Sequence, residues 1–196
     1  MKKLLLTGFE PFDGEPLNPS WELAKAFDGK SFKNYIVVSK QLPTVFYDAG
    51  ECLLKHINEY SPNVVICLGQ AGGSTGIRLE KVAINLNDAK IPDNKGIQPI
   101  DELICENGPV AYFSSLPLKE ILFSLNKKQI SASISLSAGS YVCNHVFYHL
   151  MYHIYDKKII GGFVHIPYLE SQVVDKSGVF GLSQKVLENA LSIIIK

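Results

Sequence analysis

Cys143 is the residue around which chemistry can be built in this chain. It follows Ser-Ala-Gly-Ser-Tyr-Val at 137–142, a Gly/Ser turn after a β-like run at 131–136, and an apolar-periodic segment at 146–154 then reads as a helix. A helix N-terminus offers unpaired N–H groups and partial positive charge, both of which favour S⁻ over SH, so the setting suits a thiolate nucleophile. Read as packing, the same residue is a small buried core cysteine, a common fate of free thiols. A nucleophilic thiol needs a base, and the base needs an acceptor on its other nitrogen. His145 stands two positions on, about 200° round a helix, and points away. The same arithmetic sets Cys143 on the face of Val146, Leu150 and Ile154, turned inward at the mouth of a cleft. His165 lies near the end of an apolar strand expected over 159–167, after Gly161-Gly162 and before Pro167. It is a candidate base, or else a satisfied core histidine. Glu80, in a strand expected over 77–86, is the candidate acceptor, or else a solvent-facing carboxylate. Spacing alone does not say that the three meet.

Other reactive residues suggest less. His145, His149 and His153 fall at i, i+4 and i+8, a spacing that can bind metal, but no carboxylate lies among them. The expectation is a surface or subunit-contact face and no metal. Of the four cysteines, none forms a C-x-x-C pair, so neither a zinc knuckle nor a disulfide framework is indicated. Cys52 and Cys67 read as core packing, and Cys105 is open. Lys+Arg and Asp+Glu are equal at 19 each, so no net field draws nucleic acid or anionic membrane. The leucines at 4–6 meet Gly8, Glu10 and Pro11 too soon for a secretory segment, and no run approaches the ~18 apolar residues of a membrane span. A cytoplasmic protein is expected. Its 196 residues suffice for one domain, 1–196.

The elements that must position these residues alternate. A strand at 3–7 leads through a loop at 8–18 to a helix ending near Phe27, with Asn18 or Ser20 as its cap. A strand at 34–42, a helix at 45–60 and a buried strand at 64–69 follow. This order predicts a single-domain three-layer α/β/α sandwich with a mixed, largely parallel twisted sheet. Ligands in such sheets sit beyond the C-terminal strand ends, here 7–9 and 69–70. Residues 87–99 are polar and turn-rich, an excursion expected at the sheet edge. Helices are expected around 118–125 and 182–194. The first loop carries Phe9 and Phe12, which either tuck under the core or line a pocket.

Several motifs together resemble the pyroglutamyl peptidase I (pyrrolidone-carboxylate peptidase) family. They are Thr7-Gly-Phe-Glu-Pro-Phe-Asp-Gly-Glu, Asn18-Pro-Ser-Trp21, Arg78-x-Glu80-x-Val-Ala-x-Asn85, Ile91-Pro-Asp-Asn94, Ser137-Ala-Gly-x-Tyr-Val-Cys-Asn144 and His165-Ile-Pro-Tyr168. They run in one order from residue 7 to about 170. The resemblance implies a cofactor-free cysteine peptidase that releases N-terminal pyroglutamyl residues, with Cys143 as nucleophile, His165 as base and acid, and Glu80 as orienting carboxylate. It implies a substrate pocket at Phe9, Phe12, Asn18, Gln70 and Val142, and a homotetramer. An uncharged ring is best read by apolar faces and a few polar contacts, which gives the aromatic loop a purpose. Two positions depart from the pattern. Lys90 stands where the family usually has Arg, keeping a cation for oxyanion support without the planar fork, and Asp13 replaces a usual Gly. A nucleoside phosphorylase-like reading lacks a Gly-rich phosphate loop after the first strand. A catalytically inactive small-molecule binding protein is the remaining alternative, and the reactivity of the Cys143 thiol separates it from the enzyme.

Overall fold

A computed structural model describes residues 1–196. The first strand, β1 (Lys2–Phe9), is buried from Leu4 onward, as a strand covered on both faces must be. A Cβ on Gly8 would meet the Ser20 backbone at 2.4 Å, so glycine is what lets the start of helix α1 (Pro19–Lys25) close onto the strand. Asn18 caps α1 by accepting the Ser20 N–H at 3.1 Å, and Pro19 takes the first helical position, where a missing N–H costs nothing. The chain continues through β2 (Ser31–Phe32), β3 (Tyr35–Leu42), α2 (Asp48–Tyr60) and β4 (Val64–Gln70). Then come β5 (Ile77–Glu80), β6 (Val82–Ile84), β7 (Ala111–Phe113), α3 (Leu118–Lys127), β8 (Ala132–Ser135) and α4 (Val142–Ile154). The last elements are β9 (Ile160–Ile166), β10 (Tyr168–Leu169), β11 (Gly181–Leu182) and α5 (Gln184–Ile194).

Seven strands form one mixed sheet in the order β2-β3-β1-β4-β9-β5-β8. Strands β3, β1, β4 and β9 are parallel, while β5 runs antiparallel to β9. Alternation along the strands sorts the core. Leu4, Leu6, Ile66, Leu68, Val164 and Ile166 pack under α1, α3 and α5, through Leu23, Leu125 and Leu187. Leu5, Val65, Cys67 and Phe163 face the other way, under Leu53 of α2 and Val146 and Leu150 of α4. This is the expected three-layer sandwich. Each fully buried leucine contributes about 1.5–3 kcal/mol; Leu5→Ala, at the centre of the second layer, costs about 2–5 kcal/mol by leaving a cavity.

Two expectations change. The strand expected over 77–86 divides at Lys81. Its N–H bonds Ser135 O at 2.7 Å and its carbonyl accepts from Ser114 at 2.9 Å, which turns the chain out of the sheet. Thereafter β6 pairs with β7, and the buried Asn144 amide on α4 bonds Ile84 N–H and the Ile84 and Leu86 carbonyls, standing in for a neighbouring strand. Residues 87–99 are also not at a sheet edge, since β5 is an interior strand between β9 and β8. They lie instead along the start of α4 and the pocket loops, where Asp88 N–H bonds Ser140 O at 3.0 Å and Asn94 Nδ2 bonds Pro11 O at 2.9 Å.

Candidate active site

The sheet opens a crevice where its strand order reverses. β1 is flanked by β3 on one side and β4 on the other, the topological switch point at which open α/β sheets bind ligands. Pairing of β1 with β4 stops at Thr7–Cys67, while β1 follows β3 as far as Phe9–Leu42. The strands therefore part beyond Thr7. The opening is lined by Phe9, Phe12, Asn18, Thr44, Gln70, Tyr141, Val142 and Cys143, and its free volume is about 10 Å³. The site at rest is a narrow slit, far smaller than the ~300–1,000 Å³ of pockets for drug-sized ligands.

The polar side chains of this wall are mostly committed elsewhere. Asn18 Oδ1 accepts from Ser20 N–H and Oγ, and its Nδ2 donates to Glu10 O. Thr44 Oγ1 also donates to Glu10 O, and Tyr141 donates to Pro92 O. By strand alternation the Gln70 amide lies on the α1 side of the sheet, where it accepts from Gln172 Nε2 at 3.2 Å, so Gln70 offers the crevice its main chain. What faces a ligand is chiefly aromatic and aliphatic. Phe9, Phe12, Asn18, Gln70 and Val142, the residues implied by the family resemblance, lie together in this lining, and Thr44 and Tyr141, which it did not name, join them. The aromatic directly before Val142-Cys143 was a signal for Tyr141, whereas nothing local marks Thr44. Asp13 has φ 54° and the following Gly14 has φ 73°, so this loop uses left-handed backbone where glycine is at ease and Asp is tolerated.

Cys143 is the second residue of α4, and no side chain caps that helix, so the N–H groups of its first turn stay open. A Cβ on Gly69 would lie 2.9 Å from Sγ and 2.8 Å from the Phe163 ring, so a bare glycine makes room for the thiol on the sheet. Gly69 is in register with His165 on the adjacent strand, and paired residues project to the same face. The thiol and the imidazole thus share one face of the sheet over neighbouring strands. No hydrogen bond joins them at rest; catalytic hydrogen bonds often close only around substrate.

His165 Nδ1 lies 2.8 Å from Glu80 Oε1, both groups buried, with Arg78 Nε 3.6 Å from the same oxygen. A carboxylate at Nδ1 fixes the proton there and leaves Nε2 as the basic nitrogen. Glu80 is not solvent-facing; it is wholly buried, and its Oε2 has no partner. Burial, then the charge of Glu80, then Cys67, push the Cys143 thiol up to about 12. The open helix N–H groups favour S⁻ while burial and the Glu80 carboxylate oppose it, so the two sets of neighbours pull the thiol in opposite directions.

The histidine stripe is also reassigned. His145 is buried, bonds Asn87 Oδ1 through Nδ1 at 3.0 Å, and meets Phe46 and Tyr47 edge-on. Burial, then the charge of His149, push it down to about 3. A Cβ on Gly50 of α2 would lie 2.7 Å from His149, so α2 covers this side. A helical wheel gives the angle between faces, not which face is covered. Lys90 is exposed and makes no hydrogen bond or ion pair. Its neighbours Asp88 and Pro92 bond the Ser140–Tyr141 loop, which brings its main chain beside the nucleophile but leaves its side chain outside the pocket lining.

Comparison with known proteins adds a consistent set of likenesses. The family model described as "Pyroglutamyl peptidase" matches residues 2–196. The pyrrolidone-carboxylate peptidase of Bacillus mycoides is 46% identical over 198 residues, covering 100% of this chain and 92% of the relative. That of Bacillus cytotoxicus is 54% identical over 174 residues, covering 88% and 81%. The crystal structure of Bacillus amyloliquefaciens pyroglutamyl peptidase I superposes with a TM-score of 0.95 at 47% identity, covering 99% of this chain and 95% of that one. A mutant pyrrolidone carboxyl peptidase from the hyperthermophile Pyrococcus furiosus also gives 0.95, at 40% identity, covering 98% and 96%.

Proposed function

This chain belongs to the pyroglutamyl peptidase family, and on that premise we propose that it is a cysteine omega-peptidase releasing the N-terminal pyroglutamyl (5-oxoprolyl) residue from peptides. The observation that carries the reading is the buried His165–Glu80 pair on the same sheet face as Cys143, beside a crevice with no charged side chain in its lining. A lactam ring is flat and uncharged and matches the apolar faces of Phe9 and Phe12, with polar contacts from the main chain at Gln70. An ordinary N-terminal residue brings an ammonium group that finds no carboxylate there, and burying it unpaired costs several kcal/mol.

His165 Nε2 takes the Sγ proton as sulfur attacks the pyroglutamyl carbonyl. The C–S bond forms, and the carbonyl electrons move to an oxyanion facing the open N–H groups at the start of α4. Collapse breaks the C–N bond, and the departing amine takes the proton from His165. Water, deprotonated by the same imidazole, then hydrolyses the thioester. Glu80 holds the imidazole in the productive tautomer and stabilises the imidazolium. Lys90 adds a positive field from outside the pocket. No metal or organic cofactor has a part in these steps. Fluorophore release from a pyroglutamyl-aminocoumarin substrate under reducing conditions tests the reading; no release by the purified protein overturns it.

The reading extends to a single peptidase domain over 1–196, working as a homotetramer in the cytoplasm. Four free thiols fit a reducing compartment, and no helix is long and apolar enough to cross a membrane. Exposed Val110, Phe113 and Tyr155 supply apolar surface for subunit contact. Light scattering that gives a monomeric mass at micromolar concentration would remove the tetramer.

A further inference from the structure

A side chain outside the lining, Gln172, bridges the parting of β1 from β4 that makes the crevice. It belongs to a strap, residues 168–182, that leaves β9 directly after His165-Ile166-Pro167 and returns as β11 beside β10. Gln172 Nε2 donates to Gln70 Oε1 at 3.2 Å, at the end of β4, and to Leu17 O at 3.4 Å, in the first loop. Its Oε1 accepts the Leu169 N–H at 3.0 Å, which fixes the amide so that the nitrogen faces the two acceptors. Both acceptors adjoin the pocket walls. Asn18 follows Leu17, and its Nδ2 donates to the carbonyl of Glu10, which stands between Phe9 and Phe12 in sequence. Gln70 gives the crevice its main chain. One amide therefore ties the aromatic wall to the β4 wall. The Lys176–Glu15 ion pair joins the same strap to the same loop, but its lysine is exposed, and such pairs contribute little.

The slit at rest has a free volume of about 10 Å³, the room one water needs. A lactam ring is larger, so binding must part the walls, and the tie across them decides how wide a ring the site accepts. Resting on the pyroglutamyl reading above, we infer that Gln172 is a specificity-determining positioning residue, whose amide sets the crevice width and so favours a five-membered lactam over a six-membered one. With the ring in place, the two bonds hold both walls against its faces. Without them the walls rest further apart, contacts to the smaller ring weaken and the larger ring enters. The tie lies on the α1 side of the sheet, away from the sulfur, and touches no reacting atom. It grips ground state and transition state alike, an effect that shows in KM and not in kcat.

The test is steady-state kinetics on pyroglutamyl-aminocoumarin and on its six-membered homologue, 6-oxopiperidine-2-carbonyl-aminocoumarin. Wild type, Gln172→Glu, Gln172→Ala and Lys176→Met are compared. Gln172→Glu keeps the shape and the acceptor for Leu169 but replaces the donor with an oxygen that repels Gln70 Oε1 and Leu17 O. It is expected to raise KM for the five-membered substrate about fivefold, the loss of one ordinary hydrogen bond, with kcat within about twofold. The kcat/KM ratio is expected to move at least about threefold toward the six-membered substrate, part of what one methylene is worth in a fitted pocket. Gln172→Ala is expected to move both in the same direction, and it decides if the Glu variant does not fold. Lys176→Met is expected to leave both within about twofold. A fall in kcat on both substrates alike, an unmoved KM or an unmoved ratio in the Gln172 variants overturns the proposal. So does a Lys176→Met shift as large as that of Gln172→Glu, since any loosening of the strap would then suffice. Wild-type protein that cleaves neither substrate sinks the pyroglutamyl reading and this proposal together, whereas active wild type with an unmoved ratio in both Gln172 variants sinks only the role of Gln172.

Discussion

Two Cys-His-Glu sets occur in this molecule, and only one has the makings of a catalyst. On α2, Cys52, His56 and Glu59 follow one another at i, i+4 and i+7, with Cys52 Sγ 3.5 Å from His56 Nε2 and His56 Nδ1 3.7 Å from Glu59. By the first of these distances this set is the tighter, since no hydrogen bond joins Cys143 to His165. The surroundings differ. Glu59 is half out in solvent, and the His56 nitrogen nearest it makes no hydrogen bond, whereas Glu80 is fully buried and bonds His165 at 2.8 Å. Cys52 lies within α2, where its N–H belongs to the helix ladder, whereas Cys143 lies at an uncapped start with N–H groups free. Cys143 lines the crevice at the switch point, together with Phe9 and Phe12. A helix brings i and i+4 together whatever their purpose. Collecting residues 80, 143 and 165 takes a sheet and a crossover helix. Long-range assembly next to an open pocket carries more information than short distance.

The comparison can be broken most directly by exchanging thiols. Cys143→Ser is expected to lower kcat/KM by at least ~10³-fold while Cys52→Ser stays within about twofold, since serine lacks a comparably acidic nucleophile; steady-state assays that rank the two the other way would reverse the assignment. Next come the partners. His165→Ala and Glu80→Gln are expected to lose ~10²–10⁴-fold, against about twofold or less for His56→Ala and Glu59→Gln. Gly69→Ala sharpens the point about packing. Its methyl would press on Sγ and on Phe163, so kcat is expected to fall about tenfold or more with a stability loss of about 1–3 kcal/mol, read by assay and urea melts together.

A smaller, pH-dependent effect comes from the buried side of α4. His145 is pushed from 6.5 down to about 3 in the folded protein. Below its ordinary value the unfolded chain binds a proton that the native state refuses. Stability therefore rises with pH between about 3 and 6.5, and is lost on acidification by up to about 1.4 kcal/mol per unit. His149 is lowered by burial too and adds the same sign. Urea midpoints from pH 7 to 4 should fall less steeply in His145→Gln than in wild type; equal slopes would show that His145 is not the group responsible. The smallest effect belongs to Asp13→Gly, which relieves the left-handed backbone at φ 54°. A gain of up to about 1 kcal/mol, or a Tm rise of about 1–4 °C, is expected by calorimetry.

Much of this is legible in the sequence. The alternation of apolar strands with helical spacing gave the layers, and glycine, proline and asparagine at 8–19 marked a strand end and a helix cap. Cys143, Glu80 and His165 could be listed from the motifs, and the wheel sent the base search away from His145. Other features depend on partners far along the chain. The break at Lys81 follows from Ser135 holding its N–H and Ser114 its carbonyl, and Asn144 supports β6 from 60 residues away. The burial of His145 is a property of α2 arriving beside α4. Thr44 reaches the pocket only because β3 ends next to β1. The helix N-terminus at Cys143 is visible in sequence, whereas its burial and the nearby Glu80 charge are not.

The central claim is that Cys143 carries the acyl group. Acid quenching of a reaction with pyroglutamyl substrate, followed by peptide mapping in a mass spectrometer, reads this directly. The account predicts a pyroglutamyl thioester on the Cys143 peptide, absent in Cys143→Ser and unchanged in Cys52→Ser. Turnover with the adduct on Cys52, Cys67 or Cys105, or an active Cys143→Ser protein, would contradict it.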